Sequence, residues 1–320
     1  MKIAFIGAGG IAGNYLSSLK KLEQPVAAIC DLNSERAQKV AAENSAQSYT
    51  DYKEMLAQEK PDAVFICVPP GAHDTQVEDA ANAGAALFVA KPIGLDFDAV
   101  LRTRDVIDKA GVINQVGYMA RYSDITERAK ELVGGRQLTL GFGRFMCRMG
   151  ANHPWWGKGE ISGGQMLEQS THVFDWLRYF LGDVEEVAAY GHKGAADDVA
   201  DFEDSTTCNL RFQNGAIGNI VSTCCANTPK GFAAELSGRD FYLKAVMDNH
   251  LHGVIENENV EFYGEEAGYF RQVEEFLKAV EANDQNSVRS SYTDAARTLA
   301  VTLAANQSLQ SGRPEKVKNI

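Results

Sequence analysis

An α/β fold is predicted, with a parallel, doubly wound N-terminal sheet followed by an α+β domain on a mostly antiparallel sheet. Three observations predict it: a glycine-rich turn at residues 7–13 straight after an apolar strand, fully apolar strands alternating with helices up to about residue 120, and alternating strands beyond. The turn reads Gly7-Ala8-Gly9-Gly10-Ile11-Ala12-Gly13, after Lys2-Ile3-Ala4-Phe5-Ile6. Gly7 allows a tight exit from the strand, and Gly9 leaves room for backbone to approach a pyrophosphate. Ala12 or Gly13 lets the next helix pack on the sheet. That helix, opening at Gly10 and Ile11, points free N–H groups and partial positive charge at the phosphates. This is the Rossmann-type dinucleotide turn.

The second strand, Pro25–Cys30, ends in Asp31, 24 residues beyond Gly7. That is close to the spacing of about 20 at which a carboxylate accepts hydrogen bonds from the adenosine ribose. A carboxylate there also repels a 2′-phosphate. Leu32, Asn33 and Ser34 bring no cation, although Arg36 is near. NAD is therefore expected in preference to NADP.

The remaining elements follow from caps and periodicity. Asn33 or Ser34 caps a helix running to Glu43, and Asp51 with Glu54 opens one over 52–59. The apolar strand 63–68 stops at Pro69-Pro70, and a helix follows over 74–83. Strand 86–89 leads into Ala90-Lys91-Pro92, Asp96 caps a helix to about Lys109, and 112–116 is a further strand. Beyond, Leu138, Leu140, Phe142 and Met146 alternate with smaller residues, as do Thr206, Cys208, Leu210 and Phe212. Asn214-Gly215 is a hairpin signal before strand 216–223, with further runs at 241–247 and 260–263. His250-Leu-His252 alternates as a strand with a polar face would. One helix spans 164–181, and two close the chain, with Phe270, Val273, Phe276 and Leu277 on one face of the first. The domains are read as 1–120 and 121–320, the last helices being able to return to the first.

Bulk properties narrow the function. The 320 residues are 45% hydrophobic and 23% charged, enough for two cored domains. A net charge of −12 argues against nucleic acid or an anionic membrane as partner. Six cysteines without a C-x-x-C pair read as reduced thiols. No targeting segment and no run of about 20 apolar residues is visible, so a cytoplasmic protein is expected.

Two places suit catalysis. Ligands bind outside the carboxyl ends of the strands in an open parallel sheet, and Lys91 stands at such an end. It is either a surface lysine or a donor that stabilises a developing alkoxide. In the helix over 164–181, Glu168 and His172 are four apart and Asp175 three further on, which puts them on one face. An imidazole there takes a hydroxyl proton while the carboxylate orients it, or the group merely decorates a helix and Asp175 pairs with Arg178. His153 and His172 lack a third ligand at useful spacing, so no metal is expected.

In its whole length the chain resembles the Gfo/Idh/MocA oxidoreductase family, relatives of glucose–fructose oxidoreductase and inositol dehydrogenase. The likeness lies in the opening glycine turn, Ile29-Cys30-Asp31, Val68-Pro69-Pro70 with His73, and Lys91-Pro92. It continues through Val116-Gly117-Tyr118 with Arg121-Tyr122, Gly163-Gly164 leading to Glu168, His172 and Asp175, and the tail from Thr298 to Pro314. The resemblance implies an open-faced second sheet that buries its free face in a homodimer or homotetramer. It implies Lys91 and His172 as catalytic residues with Glu168 beside them. Val68, Pro69, His73 and Lys91 then join Gly7, Gly9, Gly10, Ile11, Ala12 and Asp31 at the cofactor. Tyr118, Arg121, His153, Trp155, Trp156 and Asp175 fall where the family contacts substrate; for the tryptophan pair, packing or an oligomer contact is an equal reading. Two departures stand out: Ala90 replaces the glutamate before the lysine, and Glu168 replaces an aspartate. The implied function is NAD-dependent hydride transfer from a sugar, polyol or related hydroxy compound. The alternatives are transient use of bound NAD for elimination or hydrolysis of a sugar derivative, and a non-catalytic NAD sensor.

Overall fold

The computed structural model describes residues 1–150, 155–226, 228, 231–247 and 249–320. The chain forms two compact units, Met1–Gly117 with Tyr269–Ala295 and Tyr118–Gly268 with Ala296–Ile320. The first break falls at 117/118, three residues before the sequence boundary.

The first unit runs β1 (Ile3–Ile6), α1 (Gly10–Lys21), β2 (Val26–Cys30), α2 (Ser34–Glu43), β3 (Gln47–Tyr49), α3 (Tyr52–Glu59), β4 (Ala63–Ile66), α4 (Gln76–Asn82), β5 (Ala86–Val89), α5 (Phe97–Ala110) and β6 (Asn114–Val116). The strands make one parallel sheet in the order β3-β2-β1-β4-β5-β6. This is the dinucleotide-binding order, with its switch between β1 and β4. Asn33, Asp51 and Asp96 cap α2, α3 and α5 by accepting from Arg36, Lys53 and Ala99 N–H groups. The polar edge strand β3 is not among the sequence expectations; it carries no apolar run.

Phe5, Phe65 and Phe88 occupy one row across β1, β4 and β5, their rings stacked at 4.8 Å. Tyr15 of α1 meets the row edge-on at Phe88, 4.8 Å between centroids. Removing such a ring costs about 3–5 kcal/mol, so this ladder ties the central strands together and holds their carboxyl ends level.

The second unit begins with α6 (Asp124–Val133), capped by Ser123, and β7 (Leu138–Met146). After α7 (Gly159–Ser162), α8 (Gly164–Glu168) and α9 (Thr171–Leu181) come β8 (Val184–His192), β9 (Ser205–Phe212), β10 (Ile217–Thr223), β11 (Phe232–Gly238), β12 (Phe241–Val246), β13 (His250–Ile255) and β14 (Glu258–Tyr263). α10 (Tyr269–Ala282) packs in the first unit, where Phe276 meets Phe65 and Phe88 edge-on. α11 (Tyr292–Ser311) and β15 (Glu315–Lys316) close the chain. The second sheet has the order β14-β13-β12-β11-β7-β10-β9-β8-β15 and is antiparallel except where β7 pairs with β10. The Asn214-Gly215 hairpin joins β9 to β10, with Gly215 at φ +87° in the left-handed position. α6, β8 and β11 were not expected from sequence.

One face of β7 is stripped to glycine under α9. A Cβ on Gly143 would overlap Val173 Cγ1, and one on Gly141 would stand 2.5 Å from Leu181 Cδ1. The helix therefore rests on bare backbone. On the opposite face Leu140, Ile217 and Val254 share one row across the sheet, 42%, 57% and 40% exposed.

The helix read over 164–181 is two. Gln165 O accepts from both Gln169 N and Ser170 N, and the helical pattern restarts with Val173 N and Phe174 N on Ser170 O. Glu168 ends one helix and His172 begins the next, which corrects the expectation that they share one continuous helical face.

Candidate active site

In the first unit, Ile6, Cys30, Ile66 and Val89 are in register, so Gly7, Asp31, Cys67 and Ala90 follow at the same carboxyl edge, with Lys91 one step beyond. Gly7 is held at φ +93°, and a Cβ there would overlap Cys67 O. Only glycine meets both demands. Gly9 and Gly10 differ: a Cβ added at either would meet no protein atom within 4 Å, and the space is open for a ligand. Gly9 caps α1 without a side-chain hydrogen bond, and the first turn holds no acidic residue, so its N–H groups and dipole are available to an anion. Ala12 is 1% exposed and makes the close packing, whereas Gly13 faces open space; of the two residues read for that role, Ala12 performs it.

Asp31 ties the turn to β2. Its Oδ2 accepts from Ala8 N at 2.9 Å and its Oδ1 from Asn33 N at 2.9 Å. Arg36 Nη1 also reaches Oδ2, at 3.3 Å. The cation nearest Asp31 is thus held by the carboxylate itself. Beyond β4, Val68 and Pro69 lead into a short 3-10 turn, Pro70–Ala72, ending at His73. His73 Nε2 is buried without a hydrogen-bond partner among the described residues, and burial lowers the imidazole pKa to about 4. Lys91 is half-buried, joined to Pro92 by a cis peptide. Ala90 is buried in the apolar core, so a methyl group fills the position of the missing carboxylate.

In the second unit His172 is 7% exposed, at the first turn of α9. Aromatic rings surround it: Phe145 stacked at 6.4 Å, Phe232 at 5.8 Å, and Tyr118 edge-on at 6.1 Å. Tyr118 OH and Thr171 Oγ1 are 3.0 Å apart, and burial raises the Tyr118 phenol far above its ordinary pKa. Tyr118 therefore stays a neutral hydroxyl that shapes the site. Glu168 is 5% exposed. Gln165, which sequence reasoning missed, lies one turn earlier; its Nε2 donates to Cys147 Sγ at 3.7 Å, and its buried Oε1 has no hydrogen-bond partner among the described residues. A buried amide oxygen left so is a place for a hydroxyl donor. Its signal was its place between the glycine pair and Glu168.

Arg121 and Asp175 are brought together, but with each other. Arg121 Nε donates to Asp175 Oδ2 at 2.7 Å, both side chains being buried. Thr298 Oγ1 donates to Asp175 Oδ1 at 2.9 Å. Arg178 bonds Thr298 Oγ1 at 2.7 Å and Asp183 Oδ1 at 2.6 Å. Arg121 and Asp175, both expected at the substrate position, form a buried pair that anchors α9. Trp155 and Trp156 pack with Met149, Ala196, Ala200, Phe202 and Cys224 in a separate apolar cluster, in line with the packing alternative. His153 lies outside the described residues. Among the described residues, no three His, Cys, Asp or Glu side chains are grouped to hold a metal, and no helix is long and apolar enough to cross a membrane.

Comparison with known proteins accords with this geometry. Residues 1–118 match the oxidoreductase family with NAD-binding Rossmann fold, GFO_IDH_MocA, and residues 136–244 match the GFO/IDH/MocA C-terminal domain. Myo-inositol 2-dehydrogenase of Thermotoga maritima is 27% identical, the match covering 100% of this chain and 99% of that protein. D-xylose 1-dehydrogenase (NADP(+)) 2 of Haloferax volcanii is 26% identical over 89% of this chain and 90% of its own. In fold, the chain is similar to the WlbA dehydrogenase of Bordetella pertussis in complex with NADH and UDP-GlcNAcA. That match has a TM-score of 0.85 and 23% identity, and covers 100% and 99% of the two chains. Fold and glycine turn define a dinucleotide-binding oxidoreductase. The chain belongs to the Gfo/Idh/MocA family, whose characterised relatives include sugar and polyol dehydrogenases.

Proposed function

We propose that this chain is an NAD-dependent dehydrogenase acting on a CH–OH group of a sugar, polyol or related compound, and that it works in the cytoplasm. The observation that carries the reading is the level row of Gly7, Asp31 and the Ala90-Lys91 step at the carboxyl edge, beside an uncapped α1. These residues fit NAD: open space over Gly9 and Gly10 admits a pyrophosphate, and Asp31 faces the ribose end with a negative charge. When bound, NAD supplies the hydride acceptor.

The protein's residues then divide the remaining work. Gly7, Gly9, Gly10, Ile11 and Ala12 form the phosphate cradle, and Asp31 binds the adenosine ribose. Val68, Pro69 and His73 wall the approach to the nicotinamide end. Lys91 donates a hydrogen bond to the reacting oxygen and stabilises the charge it develops. His172 takes the hydroxyl proton, held in orientation by Tyr118, Phe145 and Phe232 and influenced by Glu168. Gln165 Oε1 accepts from another substrate hydroxyl. The exposed row of Leu140, Ile217 and Val254 is covered by a second copy of the chain, in a homodimer or homotetramer.

The test is a panel of sugars and polyols assayed for NADH formation, with wild type and His172→Ala. Loss of about 10²–10⁴ in turnover, with NAD affinity kept within about twofold, supports the assignment. Unchanged turnover in the variant removes His172 from proton transfer. Activity that never accumulates NADH replaces net oxidation with a transient redox cycle.

A further inference from the structure

Within the second unit, the loop 193–204, between β8 and β9, lies against the segment 155–164 that leads into α8. Three glycines of that segment meet the loop. A Cβ on Gly157 would overlap Val199 O, one on Gly159 would stand 3.1 Å from Asp201 Oδ1, and one on Gly164 would stand 3.6 Å from the Phe202 ring. Where two stretches meet on bare peptide, a shift in one is transmitted to the other. Apolar packing reinforces the contact, because Ala200 and Phe202 join Met149 and Trp156 in one buried cluster.

Asp201 makes the contact specific. Its N–H donates to Gly157 O at 3.0 Å, and its Oδ1 accepts from Gly159 N at 2.7 Å, from 42 residues away in sequence. Gly159 opens α7, and Lys158 before it provides no side-chain cap. Asp201 therefore supplies, from the loop, the acceptor that the helix's own chain lacks. The loop is itself held: Lys193 Nζ donates to Asp201 O at 2.6 Å. Asp204, fully buried, accepts from Ala195 N at 2.7 Å and stands 3.1 Å from His192 Nδ1. At the far end of α7, Gly164 N donates to Ser162 Oγ at 3.1 Å, and Asn306 Nδ2 to Gly163 O at 2.8 Å. The next residue is Gln165, whose side-chain oxygen is buried without a hydrogen-bond partner among the described residues.

We propose that the loop 193–204 is a strap that sets the position of Gln165, with Asp201 as the positioning residue, and so tunes recognition of a second hydroxyl on the substrate. The inference rests on the dehydrogenase reading, in which Gln165 Oε1 accepts from a hydroxyl other than the reacting one. Asp201 acts through α7 and through Gly163 and Gly164, both at positive φ, +76° and +84°. A hydrogen bond to a non-reacting hydroxyl is made equally in the bound state and the transition state, so misplacing it raises KM and leaves kcat. The strap thus favours compounds that carry at least two hydroxyls.

The test compares Asp201→Ala, which removes the accepting oxygen, with Asp201→Asn, which retains one. Asp201 is exposed, and a melting curve verifies that each variant folds. Hydrogen exchange of amides 159–165, read in the full chain without substrate, should quicken about fivefold or more in Asp201→Ala, the effect of losing a cap, and return to within about twofold of wild type in Asp201→Asn. Unchanged exchange in Asp201→Ala overturns the strap. With the sugar or polyol that wild type oxidises best, Asp201→Ala should raise KM about fivefold or more, with kcat and the KM for NAD within about twofold, and Asp201→Asn should restore it. In a Gln165→Ala background, Asp201→Ala should add less than about twofold. Full additivity of the two substitutions, or a loss confined to kcat, overturns the positioning role. If wild type oxidises nothing in the panel, the dehydrogenase reading falls and the hydroxyl role with it, while the exchange result decides the strap by itself.

Discussion

Arg121 and Asp175 form a two-point ion pair inside the second unit, Nε to Oδ2 at 2.7 Å and Nη2 to Oδ1 at 2.5 Å, although 54 residues separate them in sequence. The pair fixes α9 one turn beyond His172, to the segment after the crossover from the first unit. A buried pair of this kind contributes little net stability, but losing one partner strands a charge.

Arg121→Met should therefore destabilise the second unit by about 3–5 kcal/mol. The double variant Arg121→Met, Asp175→Leu should recover most of that loss. Urea unfolding followed by near-UV circular dichroism reads both. Equal destabilisation in the single and double variants contradicts the account.

The glycine turn yields a contrast between neighbours. Gly7→Ala should cost at least about 1–3 kcal/mol from its backbone conformation alone, because its Cβ also meets Cys67 O. Gly9→Ala has no protein neighbour to meet and should leave stability within about 0.5 kcal/mol while weakening NAD binding. Denaturant midpoints and NAD titrations separate the two effects.

Cofactor choice should turn on Asp31 and Arg36. Asp31→Ser removes the negative charge and releases Arg36, so preference should move toward NADP by about tenfold or more, about 1.4 kcal/mol. Adding Arg36→Ala should reverse the gain. Ratios of kcat/KM for the two cofactors measure this, and an unmoved ratio rejects Asp31 as the discriminator.

The buried nitrogen of His73 predicts a pH effect on stability. The folded pKa of about 4 lies below the ordinary 6.5 because burial disfavours the cation. As pH falls from 6.5 toward 4, the unfolded chain takes up a proton that the folded chain refuses, so stability falls. Above pH 6.5 the contribution is complete. Denaturant midpoints at pH 7 and 5 should differ more in wild type than in His73→Gln.

Much of the first unit was readable because β1, β4 and β5 are uninterrupted apolar runs and each helix after them begins at a side-chain cap or a glycine turn, α4 excepted. β3 escaped notice because Gln47-Ser48-Tyr49 is recruited by pairing with β2 alone. β11, with Ala233, Glu235 and Ser237, carries too weak an apolar pattern to announce a strand flanked by two others. The break between α8 and α9 has no proline or glycine to mark it; one carbonyl, Gln165 O, serves two donors. For Asp175 the helical spacing offered Arg178 as a partner, whereas tertiary folding supplied Arg121, 54 residues away. Gln165 belongs to the same group: its meaning comes from what surrounds it, not from its spacing.

The stripped glycine face of β7 has a consequence for how this scaffold can change. Val173 is stiff at its branched carbon and sits directly against Gly143, so a single methyl added to the strand would jack the neighbouring imidazole outward. The height of that imidazole above the sheet is therefore gauged by bare peptide, and the strand serves as a spacer of fixed thickness beneath α9.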